Sequence, residues 1–343
     1  MNYQLGILDQ SPIFPNASAY DALQQTIQLA QKAEKWGYAR FWVSEHHQLE
    51  QVAGSSPEVL ISHLLARTNT IRIGSGGVML QHYSPYKVAE NFHVLSTLAP
   101  GRVDLGVGKA PGGFPLSTKA LQFGRVNDGR DFEERLTFLQ QLIEDSIAEG
   151  DPYKGLQALP KPPESPKTFL LGSSANSALQ AAKLGIHFVF ARFINYDDSI
   201  LKEAAEVYRS TYRNGRFIVS LAVIAAPTQR EAEELASNHK LFRIHLKNSG
   251  RTLTVQSYEQ ALAFEKQAEE PFEIEEIPAD IIAGTPSYVK ELLDELHQSY
   301  QIDEFILHTP LQKEEERVRS FQLLSPLGIE GIKSEERDSE YVS

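Results

Sequence analysis

Short apolar runs alternate along this chain with longer stretches that place an apolar residue at every third or fourth position. "QLGILDQ" (4–10) has the length of a buried strand, and after it Leu23, Ile27, Ala30 and Ala33 recur at helical spacing up to Gly37, a helix-ending residue. "ARFWVSEH" (39–46) is a second strand, and Ser56-Pro57 starts a helix over about 57–67. "TIRIGSGGVML" (70–80) is a third strand. Ser84-Pro85 opens a helix in which Val88, Phe92 and Leu95 share a face, and "APGR" (99–102) ends it. "RVDLGVGKA" (102–110) is a fourth strand, followed by a Gly- and Pro-rich loop to about 128 and a helix to about 149. "TFLLGSS" (168–174), "IHFVFARF" (186–193) and "FIVSLAVIAA" (217–226) are strands five to seven, with helices near 175–184 and 198–211 between them. Thr285-Pro286 begins a helix carrying Val289, Leu292, Leu293 and Leu296; "DEFILHTP" (303–310) is the eighth strand, and a last helix follows.

Eight strand–helix units have one obvious closed arrangement, a single parallel (β/α)8 TIM barrel over residues 1–330. An open doubly wound sheet would carry a glycine fingerprint after its first strand, where this chain has "LDQSPIFP". Two segments exceed what the barrel needs: 110–127 after strand four and about 240–284 after strand seven. Both leave C-terminal strand ends, where barrel active sites lie, and long loops there are functional or disordered. Residues 331–343 form a polar tail expected to fray.

Composition narrows the function. The 343 residues are 41% hydrophobic and 23% charged, enough for a large core. With 45 acidic against 33 basic residues the net charge is -12, so nucleic acid and anionic membranes are not expected partners. The absence of cysteine removes disulfides, thiolate metal sites and cysteine nucleophiles, and fits a reducing compartment. The N-terminus does not read as a signal peptide, and the longest apolar run, near 217–227, is well short of the ~20 residues a membrane helix needs. A cytoplasmic protein is expected.

A parallel barrel gathers the C-terminal ends of all its strands on one face. Glu45, His46 and His47 therefore join Gly76, Gly77, Lys109, Ser173, Ser174 and Arg192 at one rim. Adjacent strand residues diverge, so His46 and His47 are poorly placed to share a metal ion, and neither an H-x-H pair nor H-E-x-x-H occurs. "LGSSANSALQ" runs from a strand directly into a helix. Its serine hydroxyls and free N–H groups suit a phosphate, or Ser174 is an ordinary N-cap. Lys109, one strand over, favours the phosphate. "GSGG" (74–77) marks either close backbone approach, against which a flat ring could lie, or a bulge.

With "FWVSEHH", "IRIGSGGVMLQHYSPYKVAENFHVLSTLAPGRVDLGVGKAPGG", "LLGSSANSA" and "AGTP", the chain resembles the bacterial luciferase-like flavin-dependent monooxygenases over roughly residues 3–328. The resemblance implies that His46 is the catalytic histidine. It implies that Gly76-Gly77 is a non-proline cis peptide beneath the flavin ring. It further implies that Lys109, Arg130, Ser173, Ser174 and Ser177 hold the FMN phosphate. Gly108 stands where light-emitting luciferase has cysteine and Lys109 where it has arginine, which argues against luciferase activity itself. Expected are reduced FMN from a separate flavin reductase, molecular oxygen, a small organic substrate and a homodimer formed through the second and third helices. The competing readings are a deazaflavin-dependent dehydrogenase, a non-catalytic flavin-binding protein and a metal-dependent barrel hydrolase.

Overall fold

The computed structural model describes residues 1–124, 129–237, 239–248, 250, 252–255 and 257–328; the polar tail 331–343 lies outside the described residues. In chain order its first half runs β1 (Gln4–Asp9), α1 (Ala19–Lys35), β2 (Arg40–Val43), α2 (Pro57–Arg67), β3 (Arg72–Ser75), β4 (Val78–Met79), α3 (Pro85–Leu98), β5 (Val103–Gly108), α4 (Pro115–Leu121) and α5 (Phe132–Glu144). The second half runs β6 (Lys167–Gly172), α6 (Ala175–Lys183), β7 (His187–Ala191), α7 (Asp198–Thr211), β8 (Phe217–Ala225), α8 (Gln229–Ala236), β9 (Lys240–Leu246), β10 (Thr252–Val255), α9 (Tyr258–Glu265), β11 (Phe272–Pro278), β12 (Ile281–Gly284), α10 (Pro286–Tyr300), β13 (Glu304–His308) and α11 (Glu314–Leu323).

Strands β1, β2, β3, β5, β6, β7, β8 and β13 pair in parallel, in that order, and β13 returns to β1, so the expected eight-stranded barrel closes. Closure leaves no free edge in the ring. Helix ends follow local chemistry. Ser18 and Asp21 form a reciprocal capping box at the start of α1. Thr285 accepts from the Tyr288 N–H with Pro286 at the first helical position of α10, as the Thr-Pro dipeptide predicts. Gly37 takes φ +84° just past α1.

Side-chain alternation sorts each strand between two cores. One face packs outward against the helices. The other fills the barrel lumen with Leu8, Trp42, Phe169, Val189, Ile218 and Ile306. Trp42 and Phe169 meet edge to face at 4.9 Å. Their bulk requires a glycine opposite: a Cβ on Gly74 would come within 2.5 Å of the Asp104 Cβ and 2.9 Å of the Trp42 Nε1.

The lower end of the lumen is closed by charge. Arg40, at the first residue of β2, reaches Asp104 Oδ2 through Nη1 at 2.5 Å and Glu304 Oε1 through Nε at 2.5 Å. Arg72 Nε donates to Asp104 Oδ1 at 2.8 Å, and Trp42 Nε1 donates to Asp104 Oδ2 at 3.0 Å. Burial alone would raise the Asp104 carboxyl, but Arg40 and Arg72 beside it hold it below its ordinary value.

The two long segments are more ordered than loop composition suggests. Helix α4 occupies Pro115–Leu121 within 110–127, of which residues 125–127 lie outside the described residues. Within 240–284, β9 pairs antiparallel with β10 and β11, and α9 packs on them. Ile244, Val255, Ala261 and Phe264 form a small core there with Phe114, from the loop after β5. Gln260 Nε2 donates to Gln51 Oε1 at 3.2 Å, tying this sheet to the loop after β2. The outer face is paired instead, with Arg243–Glu275 and His245–Glu275 across β9 and β11. "FRIHL" (242–246) and "FEIE" (272–275) alternate apolar and polar residues with period two, the pattern of a one-sided strand, so reading the segment as a loop underestimates it.

Candidate functional site

Strand β2 ends at Val43, and the three ionisable residues beyond it go to different places. Glu45 is fully buried and receives three donors or partners: the Met79 N–H at 3.1 Å, the Tyr83 hydroxyl at 2.8 Å and the His47 ring at 2.7 Å. A buried carboxylate needs such company. Glu45 thereby joins the tip of β2 to β4 and to the turn before α3. His47 is held against that carboxylate, and its N–H donates to the Gly112 carbonyl at 2.8 Å. His82 completes the group, 6.3 Å ring to ring from His47, with Nε2 at 2.8 Å from the Pro111 carbonyl.

His46 is set apart from this cluster. Its Nδ1 lies 3.1 Å from the Ser44 Oγ, and its backbone N–H donates to the Gly54 carbonyl. Trp42 packs in the lumen, and Ser44 and His46, two and four residues on, share its parity along the chain. Burial, with His47 nearby, lowers the His46 imidazole from its ordinary value to about 4. It is neutral at pH 7, with Nε2 engaged by no described residue.

Gly76 and Gly77 form the turn between β3 and β4, and the bond joining them is cis. A Cβ at Gly76 would sit 2.7 Å from Leu8 Cδ1, and one at Gly77 would sit 2.7 Å from the Gly106 carbonyl oxygen. Only bare backbone lies this close to the inner wall.

A cavity of about 320 Å³ opens beside the mouth, lined by Lys109, Arg130, Ser174 and Ser177 among others. Four of the five phosphate-site candidates thus share one cavity. Ser173 does not: it is absent from the wall, and its carbonyl accepts from Asn195 Nδ2 at 2.9 Å. Ser174 is the N-cap of α6, its Oγ accepting from the Ser177 N–H at 3.2 Å and lying 3.0 Å from the Ser177 Oγ. The first-turn N–H groups of α6 have no intrahelical acceptor and carry the positive end of the helix dipole. The N-cap reading of Ser174 holds, and Lys109 lines the same cavity as this helix start. Asn176 and Gln180 line the same wall and escaped sequence reading, although Gln180 lies three residues, about one helical turn, beyond Ser177. Glu133 lines it too, so the cavity is not uniformly cationic. Arg192, expected at the rim, is already paired with Asp198 and Asp280.

The family profile described as luciferase-like monooxygenase matches residues 3–301. This chain belongs to the luciferase-like monooxygenase family. Among its relatives, it is 48% identical to the N-acetyl-S-alkylcysteine monooxygenase of Bacillus subtilis (strain 168), over 94% of this chain and 97% of that protein. Among solved structures it is similar to apo-MsnO8, with 32% identity, a TM-score of 0.76 and coverage of 95% and 98% of the two chains. The oxygenating constituent of 3,6-diketocamphane monooxygenase, solved in complex with FMN, shares the fold at 19% identity and a TM-score of 0.68, over 95% of this chain and 97% of that one. The luciferase-like barrel is therefore an oxidoreductase scaffold, and its mouth holds the residues described above. No described helix is long and apolar enough to cross a membrane.

Proposed function

We propose that this protein is an FMN-dependent monooxygenase that takes reduced FMN from a separate reductase and acts on an N-acylated S-alkylcysteine. The observation that carries the reading is the cavity in which Lys109 faces the first turn of α6, beside the mouth that His46 enters. The residues present fit the cofactor. Lys109 and the α6 N–H groups would hold a phosphate dianion, and Ser174, Ser177 and Arg130 line the same wall. Gly76 and Gly77 offer bare backbone on which a flat ring can rest. Reduced FMN, when bound, supplies two electrons to molecular oxygen, so that one oxygen atom enters the substrate and the other leaves as water. The chain's own part is to position the substrate, to exclude water under the sheet formed by β9, β10 and β11, and to manage a proton at His46 Nε2. The substrate class rests on the 48% identity to the Bacillus enzyme across nearly the full length of both chains.

Val59 on α2 and Val94 and Leu98 on α3 are exposed apolar side chains, which supports a homodimer through those helices. Sedimentation at micromolar concentration should return twice the chain mass.

The cofactor assignment is tested by binding and by turnover. Lys109→Ala should weaken FMN about tenfold or more yet leave riboflavin, which has no phosphate, within about twofold. Equal weakening of both would remove Lys109 from the phosphate site. With N-acetyl-S-methylcysteine, product should form only when reduced FMN and oxygen are both supplied. Turnover with reduced deazaflavin in place of FMN would overturn the reading.

A further inference from the structure

Ten histidines occur in the chain, and most have a ring nitrogen engaged by the protein. His82, His93 and His297 meet backbone carbonyls, His187 accepts from the Arg216 N–H, and His47 and His245 pair with glutamates. His308 differs. It ends β13, two residues beyond Ile306, which packs in the lumen, so alternation turns its ring into the barrel mouth. Phe193, packed on the same lumen cluster, meets the ring edge to face at 5.8 Å. Neither ring nitrogen of His308 has a hydrogen bond to a described residue, and neither is among the fully enclosed atoms left without a partner. Both therefore open onto space at the mouth. The charged and titratable groups acting on the ring are Arg317, His46 and His239, with no carboxylate among them. Arg317 is itself tied to Asp9 at 2.7 Å.

We propose that His308 anchors the substrate by its carboxylate, donating a ring N–H to the anionic group while His46 works on the reacting end. This inference rests on the substrate class proposed above and names the group that recognises it. A partly buried imidazole with open nitrogens and only cationic or neutral neighbours is unfilled without an acceptor. A carboxylate supplies that acceptor. An N-acylated amino acid has lost its ammonium group, so nothing on the ligand would repel the imidazoles around it.

The test uses the FMN-loaded protein and two probes, N-acetyl-S-methylcysteine and its neutral primary amide, with binding followed by calorimetry. The wild-type protein should bind the acid about 10- to 100-fold more tightly than the amide. His308→Leu should abolish that preference and leave FMN affinity unchanged, whereas His308→Gln, which keeps a donor, should retain part of it. In turnover the leucine variant should raise KM for the acid far more than it lowers kcat. A preference for the acid that survives in His308→Leu overturns the role of His308 and leaves the substrate class standing. If the wild-type protein binds neither probe while FMN binding and reduced-FMN oxygen consumption persist, the substrate class fails, and the anchoring role fails with it.

Discussion

Replacing His46 with alanine should lower turnover by about 100-fold or more while FMN affinity stays within a few fold. The expectation follows from where the ring sits. His46 lies beyond the tip of β2, outside the cavity that carries Lys109 and the start of α6, so its loss removes no phosphate contact. It removes an imidazole whose Nδ1 is oriented by the Ser44 hydroxyl and whose Nε2 no described residue engages. The imidazole is lowered to about 4, so it is neutral through the physiological range and able to take a proton. The acid limb of kcat/KM should consequently lie well below 6.5, the value of a free imidazole, and that limb should vanish in the alanine variant. The sign for stability runs the same way. A histidine whose folded value is depressed protonates first in the unfolded chain, so the burial of His46 costs stability as pH falls from about 6.5 towards 4. Stopped-flow turnover on N-acetyl-S-methylcysteine, with folding checked by circular dichroism, decides the matter. Full activity in His46→Ala would make the residue structural.

His47 shows how far adjacent residues can differ. It sits one position on, yet it spends its ring on Glu45, in a group that includes Tyr83 and the Met79 N–H. That group is a brace for the mouth. It fixes the β2 tip to the strand that follows the Gly76–Gly77 turn, and so fixes His46 relative to the bare backbone proposed to carry the ring.

The barrel itself was legible in the sequence because each strand is a short apolar run bounded by a turn, and each helix has its own start signal. Ser174 and Thr285 cap the helices that their positions predict, while Ser56 and Ser84 stand at the starts of α2 and α3 without a side-chain cap bond, each followed by proline. The placement of the rim residues was legible for the same reason, since parallel topology alone carries every C-terminal strand end to one face. Less could be read where side chains choose between partners. Ser173 and Ser174 are neighbours of one type, and only the structure shows that one caps α6 at the cavity while the other turns its carbonyl to Asn195. Glu45 reads as a rim acid but is buried among donors contributed by β4 and by Tyr83, a partnership that sequence spacing does not encode. His308 could have been found by the strand-end position that it shares with His46, because "FILH" also carries an apolar strand into a histidine. The sheet of β9, β10 and β11 hides behind charge: Glu273, Glu275 and Glu276 make β11 look like a solvated loop, while Ile274 and Phe272 pack against α9 and its neighbours.

The opposite end of the barrel should respond to mutation in stability and not in chemistry. Arg40→Met keeps much of the side-chain volume but leaves Asp104 and Glu304 in the lumen without their shared cation. Breaking a buried pair from one side costs about 3–5 kcal/mol, because the stranded charge has lost its solvent as well as its partner. Arg72 still serves Asp104 at 2.8 Å, and Arg216 lies 3.4 Å from Glu304, which places the expected loss toward the lower part of that range. The guanidinium also sits 5.0 Å from the Phe169 ring and 5.6 Å from the Trp42 ring, contacts that methionine replaces only in part. The pH dependence gives the mechanism a signature. In the wild-type protein the Asp104 carboxyl is held below its ordinary value, so its contribution is present above the ordinary carboxylate range and is lost as pH falls through and below it. In Arg40→Met that advantage shrinks, and protonation relieves the stranded charges, so the deficit against wild type should be larger at pH 7 than at pH 5. Urea unfolding at the two pH values measures both quantities. A deficit under about 1 kcal/mol, or one that grows on acidification, would mean that the network is not what closes the barrel. The triple variant Arg40→Met, Asp104→Asn, Glu304→Gln should recover part of the loss, since it removes the orphaned charges together with their partner.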